Sequence, residues 1–266
     1  MMSQKLHIIW QTNFTYSCFW ILHKPAKISF VYTGKRKKAD VIRYVFFDLG
    51  LTLVENGMPE RYRKAMEARG ISLSSQKAGE IYHLANKYFM RERPGEMGKG
   101  NRRCFEDYVA YICWLAGNES KAPEVIRQLT EREKPVWKAY PYTLPVLREL
   151  KKKGIKTGLI SNWDNTCREV LEDNGLDSML DVIVISCEEN IEKPDKRIFQ
   201  KALALADIGP EECIYVGDNY YDDAVGAGQL GIRTFIINPP DYFGIEELKE
   251  KKISIISDIR EIPIKL

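Results

Sequence analysis

The feature that most constrains this chain is the run of residues 43–53, RYVFFDLGLTL, in which apolar and aromatic residues lead directly into Asp48. An uninterrupted apolar run of this length is typical of a strand buried on both faces of a parallel sheet. Asp48 then lies at the carboxyl end of that strand, where open α/β sheets place their ligands. Because a buried, unpaired carboxylate is costly, we expect Asp48 to be ion-paired, metal-bound or hydrogen-bonded. A capping aspartate at a strand-to-loop turn explains this stretch alone equally well.

The bulk composition is that of an ordinary globular protein and excludes several classes. The 266 residues are 44% hydrophobic and 29% charged, and this length suits one large α/β domain or a core with a second domain. The formal net charge of +3 is too small for a concentrated basic face, so we predict no nucleic-acid partner. The six cysteines include no CxxC pair, which argues against a zinc site or a disulfide scaffold and favours a cytoplasmic protein.

Residues 1–40 differ from the rest of the chain. The apolar stretch over residues 8–22 is too short and too polar for a membrane span and lacks a clear signal-peptide cleavage site, so we predict no membrane partner. The basic run at residues 35–38, KRKK, is interpreted as a solvated linker, because nothing else in the chain indicates a polyanion. We expect residues 1–40 to form an N-terminal extension without fixed structure, outside the functional unit.

After the Asp48 strand the chain becomes mostly helical, and after residue 140 it alternates between helix and strand. Apolar residues at helical spacing predict helices over residues 61–69, 78–91, 104–116 and 122–137. Farther on, strands are predicted over residues 155–160, 182–186, 213–216, 233–237 and 253–256, with helices over 145–153, 165–174, 198–206 and 224–230.

Strands that alternate with helices imply right-handed crossovers and a parallel sheet. We therefore predict a doubly wound, mostly parallel, Rossmann-like α/β core formed by residues 41–54 and 139–266. The helical insert between two of its strands, residues 55–138, is predicted to be a small all-helical cap domain.

Polar residues recur at the ends of the predicted strands or just after them. Because the carboxyl ends of parallel strands meet at one edge of a sheet, residues far apart in the sequence converge there. Carboxylates at such an edge suit Mg²⁺, and a hydroxyl and a lysine add a donor and a cation for an oxyanion. The residues concerned are Asp48, Ser161, Asn162, Lys193, Asp218, Asp222 and Asp223.

The presence of each of these polar residues also has a purely structural explanation. Ser161 can cap a helix N-terminus, Lys193 before a proline is ordinary for a solvated loop, and Asp223 can favour the start of a helix through its dipole. Their convergence, rather than any one residue, favours a catalytic site. In that site Asp48, kept ionised by the lysine and a metal, attacks phosphorus and forms an aspartyl-phosphate.

Four segments resemble the motifs of the haloacid dehalogenase superfamily of phosphatases and related hydrolases. The four occur in the order of the family, each at or after a predicted strand, and the resemblance covers about residues 42–240. The helical insert takes the place of the family's cap. The segments are residues 47–53 (FDLGLTL), 159–162 (LISN), 192–195 (EKPD) and 216–223 (VGDNYYDD), the last followed by Gly226 and Ala227.

The resemblance implies a role for each matching residue. Asp48 would be the nucleophile and a Mg²⁺ ligand, with Gly50 lending its backbone carbonyl to the metal and Asp218 binding it. Asp223 would orient the metal's waters or pair with Lys193, and the register of Gly226 favours Asp223 over Asp222 for this role. The phosphate-binding residues that the resemblance implies are Gly50, Ser161, Asn162 and Lys193, and Ser161 and Lys193 join Asp48 as catalytic residues.

The chain departs from the family at Gly50, where most of its phosphatases carry a second aspartate as general acid and base. Such a group typically contributes about 10²–10⁴-fold in rate. One explanation is a substrate with a good leaving group, such as a sugar-1-phosphate or an acyl phosphate, which needs no acid. A second explanation is that a side chain of the cap, or a water molecule, replaces the acid. The chain can also be a catalytically weak protein that only binds a phosphorylated ligand. A metal-independent 2-haloacid dehalogenase lacks the second aspartate too, but would leave Asp218 and Asp223 unexplained.

The sequence predicts the partner only as a class. We expect a Mg²⁺-dependent phosphohydrolase that acts on a small phosphorylated metabolite, as a monomer or a homodimer. Selectivity would come from the cap, and residues 99–103 together with Trp137 are the predicted place where the substrate is recognised.

Overall fold

The computed structural model describes residues 41–130, 136–238, 243–251 and 253–266, so the predictions for residues 1–40 lie outside the described residues. The strands are β1 (Tyr44–Phe47), β2 (Val54–Glu55), β3 (Lys138–Ala139), β4 (Lys156–Ser161), β5 (Val182–Ile185), β6 (Cys213–Gly217), β7 (Arg233–Ile237) and β8 (Ser254–Ile256). The helices are α1 (Met58–Glu67), α2 (Ser75–Glu92), α3 (Arg102–Leu115), α4 (Ala122–Thr130), α5 (Thr143–Lys152), α6 (Cys167–Asp173), α7 (Ser186–Glu189), α8 (Lys196–Ala206), α9 (Val225–Gly228) and α10 (Ile262–Lys265).

Six of the strands form one sheet in the order β5-β4-β1-β6-β7-β8, and every pair of neighbours in it is parallel. This confirms the predicted doubly wound α/β fold. The chain runs outward from β1 through β4 to β5 and then returns to β6 on the other side of β1. The strand order therefore reverses beside β1, and in such sheets the ligand crevice lies at this switch point.

Strand β1 is buried on both faces, as its apolar run predicts. Val45 and Phe47 belong to the apolar cluster on one face of the sheet, which also contains residues of α5, α6 and α10. Tyr44 and Phe46 belong to the cluster on the other face, with residues of α8 and α9. Because successive strand side chains point to opposite faces, a shift of register by one residue would exchange the two sets. This constraint fixes the position of the residue that follows β1.

The helices of the insert pack around an apolar cluster of their own. Helices α1 to α4 contribute its buried residues, among them Met66, Phe89, Val109 and Ile112. At the two ends of the insert, β2 and β3 pair in a short antiparallel ladder. A two-residue strand has no sequence periodicity, so this ladder was not predicted. The division of the chain into a core and a cap domain stays a prediction.

Two predicted helices differ from the observed structure. Trp137, predicted to end a helix that begins at Ala122, is not helical, and α4 is described as far as Thr130. The helix predicted over residues 224–230 is preceded by a wide helical turn, Tyr220–Ala224, and α9 itself is only four residues long. The side chain of Asn219 accepts hydrogen bonds from the backbone of Tyr221 and Asp222 and so begins this turn earlier than apolar spacing indicates.

None of the helices in the described part of the chain combines the length and the apolar composition that a membrane crossing requires.

Close packing of β1 against β4 can be tested at Gly158. A Cβ atom on this residue would lie 2.5 Å from the ring of Phe46 and 3.1 Å from the carbonyl oxygen of Val182. We expect Gly158→Ala to lower the free energy of unfolding by about 1–3 kcal/mol, because a close-packed core has no room for it. Urea denaturation measures the change.

The matched control is Gly79→Ala in the second turn of α2, where a Cβ atom would have no neighbour within 4 Å. There alanine should stabilise the helix by about 0.5–1 kcal/mol. Equal effects of the two substitutions would contradict the packing described.

Candidate active site

Asp48 follows β1 directly, at the switch point of the sheet. Its Oδ1 atom accepts a hydrogen bond from Ser161 Oγ at 2.8 Å and another from Lys193 Nζ at 2.9 Å. Ser161 is the last residue of β4, which is paired with β1, so the sheet itself brings the hydroxyl to the carboxylate. Both hydrogen bonds end on Oδ1, which leaves Oδ2 as the candidate attacking oxygen. Asp48 is thus ion-paired and hydrogen-bonded, as the cost of burying a free carboxylate requires.

Lys193 is the buried cation of the site, with a side chain only 3% exposed. Its Nζ atom lies 2.6 Å from Asp223 Oδ1 as well as 2.9 Å from Asp48 Oδ1. Burial by itself lowers the pKa of this lysine, but the charges of Asp223 and Asp48 outweigh burial and hold the pKa well above its ordinary value. Lys193 therefore carries a fixed positive charge that links two carboxylates.

Two further side chains hold Lys193 in place. Tyr215, in the middle of β6, accepts a hydrogen bond from Lys193 Nζ at 2.9 Å, so Asp48, Asp223 and Tyr215 together use all three donors of the ammonium group. Asn162 accepts from the backbone N–H of Lys193 and donates to its carbonyl oxygen. Its predicted contact with phosphate stays a prediction, since both ends of its amide are used here. Tyr215 was missed from the sequence, although a tyrosine in a buried strand needs a partner for its hydroxyl.

Asp218 and Asp223 complete a cluster of carboxylates at the end of β6. One oxygen from each of Asp48, Asp218 and Asp223 lies within 4.8 Å of the others. Asp223 contacts Lys193, as Asp48 does, and its side chain is fully buried. Asp222 instead accepts a hydrogen bond from Asn219 Nδ2, and it is not part of this cluster. The geometry agrees with the choice of Asp223 over Asp222.

The chemistry of this cluster suits a divalent cation. Hard carboxylate oxygens are the ligands that Mg²⁺ prefers, and it keeps several positions for water and phosphate. Burial raises the pKa of Asp218 to about 7, and the nearby charge of Lys87 opposes this shift. Asp222 Oδ1 is a buried oxygen without a hydrogen-bond partner among the described residues. Asp48, Asp218 and Asp223 thus fit the predicted metal site, and the carbonyl of Gly50 stays a predicted ligand.

Gly50 lies two residues beyond the nucleophile candidate and faces two indole rings. A Cβ atom here would be 3.3 Å from the ring of Trp163 and 3.7 Å from the ring of Trp137. The two indoles contact each other edge to face, with ring centroids 4.8 Å apart. The space beside residue 50 is therefore bounded by aromatic carbon, and the role of Trp137 in substrate recognition stays a prediction.

One residue of the predicted recognition loop contacts the segment that precedes Lys193. Lys99 Nζ is 2.6 Å from Glu192 Oε2, and Glu192 immediately precedes Lys193. Both side chains of the pair are about half exposed, so the contact leaves them accessible to a ligand. The role of residues 99–103 in substrate recognition stays a prediction.

A second buried lysine was missed from the sequence. Lys87 of α2 donates a hydrogen bond to the carbonyl oxygen of Asp218, and its Nζ atom lies 3.6 Å from Asp218 Oδ2. The spacing of apolar residues predicts an amphipathic helix here, but it does not show that Lys87 is buried. Only the packing of α2 against the end of β6 brings it to the site.

The structure is thus a doubly wound α/β protein with a carboxylate, a hydroxyl and an ammonium group in contact at the switch point of its sheet. The model of the haloacid dehalogenase-like hydrolases matches residues 42–231, and this segment contains every residue of the cluster. The chain belongs to this hydrolase family.

The chain is similar to relatives named for the family alone and to relatives named for a phosphatase activity. It is 27% identical to haloacid dehalogenase-like hydrolase domain-containing protein 3 of Bos taurus, over 75% of this chain and 83% of that protein. It is also 27% identical to glyceraldehyde 3-phosphate phosphatase of Methanothermobacter thermautotrophicus, over 84% and 98%. A solved L-2-haloacid dehalogenase shares the fold with a TM-score of 0.54 and 20% identity, over 85% of this chain and 98% of that one. The fold alone therefore does not separate a phosphatase from a dehalogenase.

The buried carboxylates predict how stability depends on pH without metal. Burial raises the pKa of Asp218 and of Asp222 to about 7, so the folded state binds these protons more tightly than the unfolded chain. This contribution is present below about pH 4 and is lost as the pH rises through about 7. We expect the melting temperature in a chelator to fall between about pH 5.5 and about pH 8.

The control is the variant Asp218→Asn, which removes one of the titrating groups and should flatten the profile. In the parent protein, added Mg²⁺ should reduce the fall of the melting temperature with pH, because Mg²⁺ binds the ionised carboxylates. A melting temperature that rises over this range in the chelator would contradict the assignment.

Proposed function

We propose that the protein is a Mg²⁺-dependent phosphohydrolase that cleaves a small phosphate monoester through an aspartyl-phosphate on Asp48. The main support is the cluster of three carboxylates within 4.8 Å of one another, with Lys193 buried between two of them. Catalysis of phosphoryl transfer consists mainly of positioning the reactants and neutralising their negative charge. A site with fixed positive charge and hard oxygen ligands supplies both.

In the first step Asp48 Oδ2 attacks phosphorus, and the bond from phosphorus to the leaving oxygen breaks. Ser161 and Lys193 hold the other carboxylate oxygen, so the attacking atom is aimed before the substrate arrives. Lys193 offsets the negative charge of nucleophile and phosphoryl group together. When bound by Asp48, Asp218 and Asp223, Mg²⁺ supplies positive charge against the phosphoryl oxygens. Water then attacks the phosphorus of the aspartyl-phosphate, which releases phosphate and restores Asp48.

The acidic residues at the end of β6 favour this function over dehalogenation. A haloacid dehalogenase would use Asp48 against a carbon–halogen bond and would need no metal. The metal site that Asp48, Asp218 and Asp223 fit would then have no role in the reaction. A phosphatase with 27% identity along most of the chain is a further support for phosphoryl transfer.

Gly50 narrows the class of substrate. Residue 50 offers no acid to the leaving group, and the indoles of Trp137 and Trp163 bound the space where a side chain would lie. The leaving oxygen must therefore depart without a proton from this position. Substrates with good leaving groups, such as acyl phosphates or sugar-1-phosphates, suit such a site best.

The first test is turnover of p-nitrophenyl phosphate with and without Mg²⁺. We expect activity only with the metal, and a loss of about 10³-fold or more in Asp48→Asn, because an amide cannot form the acyl phosphate. Asp173→Asn, an exposed carboxylate of α6, is the matched control and should retain activity.

Metal-independent turnover that survives Asp48→Asn would overturn the proposal. Chloride release from 2-chloropropionate would identify a dehalogenase instead. Binding of phosphate esters without any turnover would indicate a phospho-ligand-binding protein.

A second test asks whether the missing aspartate can be restored. We expect Gly50→Asp to give no more activity than Gly50→Ala, because the added Cβ meets the Trp163 ring at 3.3 Å. Turnover of alkyl phosphates, which have poor leaving groups, measures the difference. A gain of about 10²-fold for the aspartate variant, the effect of a working general acid, would show that the space is open.

A further inference from the structure

Lys87 is a buried cation that the proposed mechanism does not use. Its side chain is 4% exposed, and lysine is almost never this buried unless it is paired. Its Nζ atom contacts three oxygens: the carbonyl of Asp218, the carbonyl of Ile237 at 3.5 Å and Asp218 Oδ2 at 3.6 Å. The first two contacts are hydrogen bonds to backbone carbonyls, and the third is an ion pair with the carboxylate. Lys87 is therefore a buried charge held in place by oxygens of the chain.

The residues before and after Lys87 on α2 hold it in this position. His83, one turn earlier, lies with Nε2 2.9 Å from the carbonyl oxygen of Phe243. Arg91, one turn later, lies 3.2 Å from Glu247. Residues four apart share one face of a helix, so His83, Lys87 and Arg91 form a row that contacts the core. The outer two contacts do not depend on the charge of the middle one.

The charge of Lys87 changes the balance of the cation site. Metal binding requires the ionised forms of Asp48, Asp218 and Asp223, which together carry three negative charges, and Lys193 offsets one of them. Lys87 offsets a second, at the carboxylate that contacts it, so the cluster retains one formal negative charge instead of two. A positive charge near a cation site repels the cation, and the repulsion is strong where water is excluded.

We propose that Lys87 is a built-in counter-charge that holds Asp218 in position and lowers the affinity of the carboxylate cluster for Mg²⁺. This inference rests on the proposed metal-dependent function. In the metal-free protein Lys87 partly neutralises Asp218, and in the loaded protein it weakens the metal's hold. The helical insert thereby contributes to metal affinity without offering a metal ligand.

The test is calorimetric titration of the full chain with Mg²⁺, which needs no turnover. Lys87→Met keeps the length of the side chain and removes its charge, and we expect the dissociation constant to fall by about tenfold or more, which corresponds to about 1.4 kcal/mol. Lys87→Arg keeps the charge and should leave the constant within about threefold. Lys77→Met, an exposed lysine on the same helix paired with Glu80, is the control and should change nothing.

A second neutral variant, Lys87→Gln, retains donors for the two carbonyl oxygens and should also bind Mg²⁺ more tightly. If either neutral variant folds only when Mg²⁺ is present, the metal has replaced the missing charge, and the proposal holds. Unchanged or weaker binding in both neutral variants would overturn it, as would variants that stay unfolded with and without Mg²⁺, since Lys87 would then serve only to dock α2. If the parent protein binds no Mg²⁺, the proposed function fails together with this inference. Binding that is unaffected by Lys87 overturns the inference alone.

Discussion

The ammonium group of Lys193, buried between the carboxylates of Asp48 and Asp223, is the interaction on which the rest of the site depends. Moving such charges out of water is expensive, and close geometry with complete hydrogen bonding is needed to offset it. Here all three donors of the ammonium group are used. Loss of one partner would leave an uncompensated buried charge, which typically costs about 3–5 kcal/mol. The surrounding elements must therefore keep these three side chains within hydrogen-bonding distance of one another.

The parallel sheet meets that requirement because its central strands cannot shift. β1 is buried on both faces and paired on both sides, to β4 and β6. Asp48, Ser161 and Asp218 each end or follow one of these three strands. Residues far apart in the sequence therefore come into contact at this edge: Asp48 and Lys193, for example, are 145 residues apart. The helical insert adds a charge from outside the sheet, through Lys87, and so joins its own packing to the electrostatics of the strand ends.

Much of the fold could be predicted from local patterns. The strand predicted over residues 233–237 is observed with the same bounds, and that predicted over 213–216 is longer by one residue. Short apolar runs between turn residues indicate such strands, because a strand inside a parallel sheet is buried on both faces. The failures have local causes as well. Trp137 continues a helical spacing but is not helical, and the side chain of Asn219 starts a turn that apolar spacing does not show.

The sequence by itself determined which chemical groups stand at the strand ends and in which order, because these follow from residue type and from the alternation of helix and strand. The tertiary structure decided how they are connected. It directs both hydrogen bonds of Asp48 to one oxygen, seats Tyr215 on Lys193, brings two indoles against Gly50 and places Lys87 of α2 against Asp218. The physical reason is that these contacts join residues far apart in the chain. Only the packing of helices and strands against one another brings such residues within hydrogen-bonding distance.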